Sequence, residues 1–355
     1  MKKTIRAPHG VLASEEEADI FQLENDKGSI LRLSSYGARW VGLTTADRNG
    51  KLEDVVVGPD SLEDFEHHDA FFGCAVGRYA NRIAEGSFQL DGKTFSLAKN
   101  LNALVHLHGG NKGFDKYVWK AELLEAEGKS GVLFTHFSPD GDEGYPGNLH
   151  ASVEYWLTEQ DEVIISYAAQ TDQATHVNLT NHAYFNLCGG LKRNVLDHQL
   201  QLFADQFTET DDQLVPTGGL ASVAGTPLDF RNSKSLGQDI EADDRLIRIG
   251  NGYDHNFVIN PSHSRLAPVA IVQESESGRR MEVFSSQPGV QLYTANWFDG
   301  SNISKEGHPI QQRYAFCLEC QHFPDSPNHP QFPTTLLEPG HNYAHTSVYA
   351  FSLME

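Results

Sequence analysis

Positive charge is scarce in this chain. Its 355 residues carry 27 lysines and arginines against 48 aspartates and glutamates, a formal charge of −21. Nucleic-acid binding needs a positive stripe to displace counterions, so this balance argues against it and against polyanionic substrates. A neutral ligand suits it better. Long apolar runs are also missing. No segment approaches the length of a membrane span, and the stretch Met1 to Ile20 has two lysines but no apolar run. The chain therefore reads as cytoplasmic, with no membrane partner. There is no Pro/Ser-rich linker, low-complexity tract or repeat of fixed period, so residues 1–355 are expected to form one domain. Oligomeric state leaves no readable mark.

Cysteine is scarce too. Cys74, Cys188, Cys317 and Cys320 are too few for a disulfide scaffold. Cys317 and Cys320 have CxxC spacing, but the run from Tyr314 to Phe323 looks like a strand. Across three steps of a strand the Cα atoms lie about 10 Å apart, too far for a disulfide. A zinc knuckle would want a glycine turn and a second ligand pair, and neither is present. These residues read as buried thiols.

Helical periodicity is confined to Leu62 to His67 and Leu236 to Ile240. What the chain has instead is period-two alternation. Leu149, Ala151, Val153, Tyr155 and Leu157 alternate with more polar neighbours, and Val163, Ile165, Tyr167 and Ala169 resume the pattern after a polar link. Phe88 and Leu90, then Asp91-Gly92, then Phe95 and Leu97 predict a hairpin on a type I′ turn. Further strands are expected at 30–33, 54–57, 131–137, 269–273, 281–285, 290–295 and 347–351. The fold class is all-β, a large antiparallel β-sandwich with few short helices.

Several polar residues sit in stretches that are otherwise apolar. Asn81 and Arg82 stand just before Ile83, and the arginine offers a fork of donors suited to hydroxyl oxygens as well as to a surface acid. His106 and His108 fall two apart in His106-Leu-His-Gly-Gly110, which would place both on one face of a strand. That pair is the best metal candidate, although no third ligand can be located from spacing; the glycines suggest a tight loop open to a ligand. Asn178, Thr180, His182 and Tyr184 would line one hydrogen-bonding face. Asp254 begins an aromatic-flanked strand, and Gln291 interrupts a β-rich run. Glu319 lies between Cys317 and Cys320 in an apolar strand, where a carboxylate is costly unless it is hydrogen-bonded or functional. A carboxylate, histidines, an arginine and amides, without a Ser-His-Asp signature or a phosphate loop, are equipment for acid–base chemistry on a polyhydroxylated neutral molecule.

The phrases GRYANRIAEGSF (77–88), HLHGG (106–110), NLTNHAYFNL (178–187), LVPTGGLASVAGTPLDFR (214–231), GYDHNFV (252–258), GVQLYTANWFDG (289–300) and ECQHFPDSPNHPQFP (319–333) occur in one order. In them the chain resembles the aldose 1-epimerases, or galactose mutarotases. The resemblance implies the β-sandwich of that family and interconversion of the α and β anomers of free aldoses such as galactose and glucose. It implies Glu319 as catalytic base and His182 as catalytic acid, with His108 near the ring oxygen. It further implies that Asn81, Arg82, Asp254 and Gln291 bind the sugar, and that no metal or cofactor is needed. Two departures, Ala183 for a common serine and Cys320 for a threonine, touch no assigned role. No basic cluster for a sugar phosphate is found. For His182 to act as acid it must be protonated, and a neighbouring carboxylate is expected to raise its pKa from about 6.5. Two rivals stand beside this reading: a non-catalytic sugar binder, which has no need of Glu319 with His182, and a metal enzyme built on His106 and His108.

Overall fold

The computed structural model describes residues 3–68 and 70–354. Three antiparallel sheets form its frame. The largest has nine strands, in spatial order Lys120–Ala126, Lys129–Ser138, Leu149–Thr158, Glu162–Thr171, Tyr343–Leu353, Arg279–Ser285, Ala267–Gln273, Gln199–Leu202 and Lys234–Ser235. A five-stranded sheet follows the chain from Lys3–Val11 to Leu52–Asp54. A second five-stranded sheet runs Pro216–Ser222, Gln206–Thr210, Asp254–Val258, Gly289–Tyr293 and Cys317–Gln321.

Alternation decides how these sheets pack. Val153, Tyr155, Ile165, Tyr167 and Tyr349 turn inward from the large sheet. They meet Phe21, Leu33 and Trp40 of the N-terminal sheet and Phe257, Leu292 and Leu318 of the second small sheet in one apolar cluster. The tyrosines bring hydroxyls into it, and two of these bond to backbone: Tyr155 donates to Ala38 O at 2.8 Å and Tyr349 to Leu318 O at 2.8 Å. The second bond ties the large sheet to the strand that carries Glu319.

The sandwich and the long strands expected from the sequence are present, and so is the hairpin, with Asp91 and Gly92 both at positive φ. Four cysteines are free and buried. Three local readings are corrected. The strand expected over 54–57 breaks in two, because Asp54 Oδ1 accepts from both Leu43 N and Val56 N and takes over part of the ladder. The strand expected over 290–295 ends at Tyr293, and Ala295 turns out of it at φ 50°. No helix forms at Leu236 to Ile240, where the Leu236 and Gly237 amides bond to His198 O and Leu196 O instead. A helix forms at Arg245–Gly250, where the Asp244 side chain caps the Leu246 amide. The other expected helix, Leu62–His67, is present with a Ser61 cap. Among the described residues, no helix is long and apolar enough to cross a membrane.

Burial on this scale encloses many histidines. Burial pushes His106, His136, His176, His198 and His255 each down to about 4. In the fold they stay neutral to that pH, while the unfolded chain takes up protons below about 6.5. The unfolded state thus binds more protons across this window, and stability falls as pH drops from about 6.5 to 4. Thermal melts should show Tm several degrees lower at pH 5 than at pH 7; an unchanged Tm would show that these rings titrate freely in the fold.

Candidate active site

The second small sheet has one apolar face and one polar face. Val290, Leu292, Leu318 and Cys320 point into the core. The alternate positions Asp254, Asn256, Gln291, Tyr293, Cys317 and Glu319 therefore share the opposite face. Gln291 lies directly opposite both Asn256 and Glu319 in the ladder. Asp254, Tyr293 and Glu319 of this face line a cleft of about 430 Å³.

Glu319 is only 2% exposed, and its Oε2 is buried without a hydrogen-bond partner. Its Oε1 lies 3.6 Å from Nε2 of His182. His182 comes from the segment 178–187, which is not one strand. It makes the short pairings Thr180–Asn181 and Tyr184–Phe185, each with a different partner, and isolated bridges from Asn178 to Tyr79 and from Phe185 to Phe316. Its alternation survives nonetheless. Asn178 accepts from His322 N, Thr180 donates to Cys320 O, and His182 meets Cys317 and Glu319, all along the Glu319 strand. The opposite position, Asn181, donates to Tyr155 OH in the core.

The wall is a chain of hydrogen bonds. Gln291 Nε2 donates to Asp254 Oδ1 at 2.6 Å, and Arg82 Nη2 donates to Asp254 Oδ2 at 3.1 Å. Arg82 Nη1 reaches Asn81 Oδ1 at 3.2 Å, and the Asn81 amide donates to His108 Nδ1 at 3.1 Å. Asn81 and His108 both hold positive φ, 64° and 49°, and the His108 backbone N–H donates in return to Asn81 O at 3.0 Å. Six of the seven candidate residues line the cleft. Gln291 does not; it stands behind Asp254 and fixes that carboxylate.

Two readings of the HLHGG phrase are corrected. The strand stops at Leu107 and His108 turns away, so the two histidines do not share a face. His106 is bonded to Tyr145 OH and Ala98 O, each at 2.7 Å, and plays a structural part. The glycines make room for the chain itself: a Cβ on Gly109 would lie 1.8 Å from Gly77 O. Sequence reasoning missed the aromatic wall. Phe71 stacks on His182 and tilts against His108, while Tyr293, Phe298 and the 67% exposed Trp297 continue the lining. The signal available was a set of aromatics beside turns, where period-two patterning says nothing.

Electrostatics reverse one expectation. Burial, assisted by the Asp254 charge, drives the Glu319 carboxyl well above the usual range, with Arg82 opposing. Burial pushes His182 down to about 4, although Asp254 pulls the other way. Among the charges that act on the histidine, Asp254 raises it and Arg39 lowers it, and burial outweighs both.

A β-sandwich protein with a carboxyl–imidazole pair buried at the floor of a polar cleft is the class that fold and site define. Within it, residues 19–350 match the family described as aldose 1-epimerase. The chain is 43% identical to galactose mutarotase of Homo sapiens over 99% of this chain and 100% of that one. It is 36% identical to aldose 1-epimerase of Escherichia coli (strain K12), over 94% of each chain. The crystal structure of galactose 1-epimerase from Lactobacillus acidophilus NCFM superimposes with a TM-score of 0.88 at 29% identity, covering 100% of both chains. The chain belongs to the aldose 1-epimerase family of carbohydrate isomerases.

The site does gather three atoms a metal could use. Single ligand atoms of His108, His182 and Glu319 lie within 4.8 Å of one another, a triad different from the His106–His108 pair expected from the sequence. The tautomer of His108 works against it. Its Nδ1 accepts the Asn81 N–H, so in the neutral ring the proton sits on Nε2. That nitrogen donates into the cleft and has no lone pair for a cation. Activity should therefore survive prolonged EDTA treatment; loss of activity restored by zinc or manganese would reassign the triad as a metal centre.

Proposed function

We propose that the chain interconverts the α and β anomers of free hexoses, galactose and glucose among them, by acid–base ring opening without a metal or cofactor. The observation that carries this reading is the Glu319–His182 pair, 3.6 Å apart and buried, with Glu319 Oε2 free to meet a ligand. Opening a cyclic hemiacetal removes a proton from O1 and adds one to the ring oxygen. Glu319 takes the first and His182 supplies the second. The aldehyde rotates about C1–C2, and the roles reverse on closure.

The proton balance fits this sequence. One proton on the pair can sit on His182 or on Glu319. The arrangement favoured by the dry cleft, carboxyl protonated and imidazole neutral, is the one that faces the ring-opened sugar. A cyclic sugar favours the other, since its O1 hydroxyl donates to the carboxylate and its ring oxygen accepts from the imidazolium. The interchange then needs no net proton from solvent.

Arg82, Asn81 and Asp254 read the remaining hydroxyls, with Gln291 holding Asp254 and His108 near the ring oxygen. These residues run from position 81 to 319, so we read 1–355 as one catalytic domain. Four free thiols fit a reducing, cytoplasmic setting.

Polarimetry on freshly dissolved α-galactose and α-glucose tests the activity directly. Glu319→Gln and His182→Asn should each lower kcat by at least about a hundredfold, with much smaller changes in KM. If Glu319→Gln kept its kcat while KM rose steeply, Glu319 would be a binding residue and Asp254 the next candidate for the base.

Methyl galactosides should bind and not turn over, because the methyl group replaces the proton that Glu319 removes. Interconversion of methyl α- and β-galactoside would exclude the mechanism.

A further inference from the structure

The His182 ring has a neighbour at each nitrogen. Nε2 faces the Glu319 carboxyl and Nδ1 faces Cys317 Sγ, each at 3.6 Å. Cys317 and Glu319 are two residues apart on one strand and so share a face. A single strand thereby presents a sulfur and a carboxyl to opposite edges of one imidazole. Cys317 is completely buried, opposite Tyr293 in the ladder.

The thiol is not a nucleophile here. Burial, reinforced by the charge of Glu319, holds it well above its usual pKa, so it stays an S–H group. Its contact with His182 Nδ1, at 3.6 Å, is too far for a hydrogen bond to oxygen but within range of sulfur, which can accept the ring N–H or donate its S–H to the ring. This matters because an imidazole that exchanges protons at one nitrogen must keep the proton on the other.

We propose that Cys317 is a positioning residue whose sulfur accepts the Nδ1–H of His182, so that Nε2 is the nitrogen that gives and takes the proton at the reacting atoms. The proposal rests on His182 acting as the proton donor. It fits the geometry, in which Nε2 is the ring nitrogen that faces the Glu319 carboxyl. It also differs in consequence from a carboxylate in the same place. An anion would stabilise the imidazolium and weaken it as an acid, whereas an uncharged thiol fixes the tautomer and leaves the imidazolium ready to release its proton.

The test combines ¹⁵N NMR of the histidine side chains with steady-state polarimetry on galactose. The His182 signals are assigned by their loss in His182→Asn. In the native enzyme at pH 7 the neutral ring should be the Nδ1–H tautomer. Cys317→Ala removes the acceptor and should shift the ring toward Nε2–H, lowering kcat about tenfold with KM within about twofold. Cys317→Val, which fills the space without an acceptor, carries the same expectation should the alanine variant fold poorly. Cys317→Ser restores an acceptor and should recover the tautomer and part of kcat. Native tautomer and native kcat in both the alanine and valine variants would overturn the role of Cys317. If His182→Asn has meanwhile lost activity, the role of His182 stands alone. If His182→Asn keeps native kcat, both readings fall.

Discussion

The exclusion of water from the Glu319 carboxyl is the constraint on which the cleft depends. An isolated carboxylate is strongly disfavoured in such surroundings, and burial accordingly pushes the Glu319 carboxyl upward and the His182 imidazole downward. The arrangement is held from behind. Leu318 and Cys320, the strand neighbours of Glu319, are packed in the apolar core, and the Leu318 carbonyl is bonded by Tyr349 from the large sheet. The carboxyl cannot withdraw from the cleft without pulling those residues out of the core. The period-two geometry of a strand thus turns core packing into placement of a carboxyl in the cleft.

The wall follows a different logic. Arg82 and Asp254 are 172 residues apart in sequence, yet each is only 11% exposed and they are bonded at 3.1 Å. A half-exposed ion pair contributes little; this one is enclosed and continued on both sides, by Gln291 and by Asn81. Removing Gln291 would leave one oxygen of Asp254 without its partner, so a residue that does not touch the cleft governs one that does. Backbone geometry contributes as well. Asn81 and His108 occupy the left-handed region, which costs energy for any residue but glycine, and they stabilise each other there.

What could be read from the sequence follows from what leaves a local trace. Glu319 is conspicuous because a carboxylate breaks an apolar alternation, and His182 because it belongs to a polar alternation that outlasts the breaks in its strand. The long strands and the Asp91-Gly92 turn are visible for the same reason. The pairing of Arg82 with Asp254 leaves no such trace, and neither does the place of Gln291 behind Asp254. His106 was grouped with His108 because spacing assumes the strand continues, and the turn at His108 depends on its contact with Asn81. The direction of the His182 shift depends on the depth of the site, which no pattern of residues reports. The aromatic lining was missed because Phe71, Trp297 and Phe298 lie in turns.

The span of the wall also bears on how the molecule comes into being. Its candidate site residues are scattered between positions 81 and 319, and the large sheet places the strand Tyr343–Leu353 between Glu162–Thr171 and Arg279–Ser285. Closing such distant contacts is entropically slow. A chain growing from the ribosome would lack the central strand of its principal sheet until Tyr343–Leu353 emerged. The exposed edges of Glu162–Thr171 and Arg279–Ser285 would then be the surfaces that folding helpers must shield, and no partial chain ending before Tyr343 could close its sandwich.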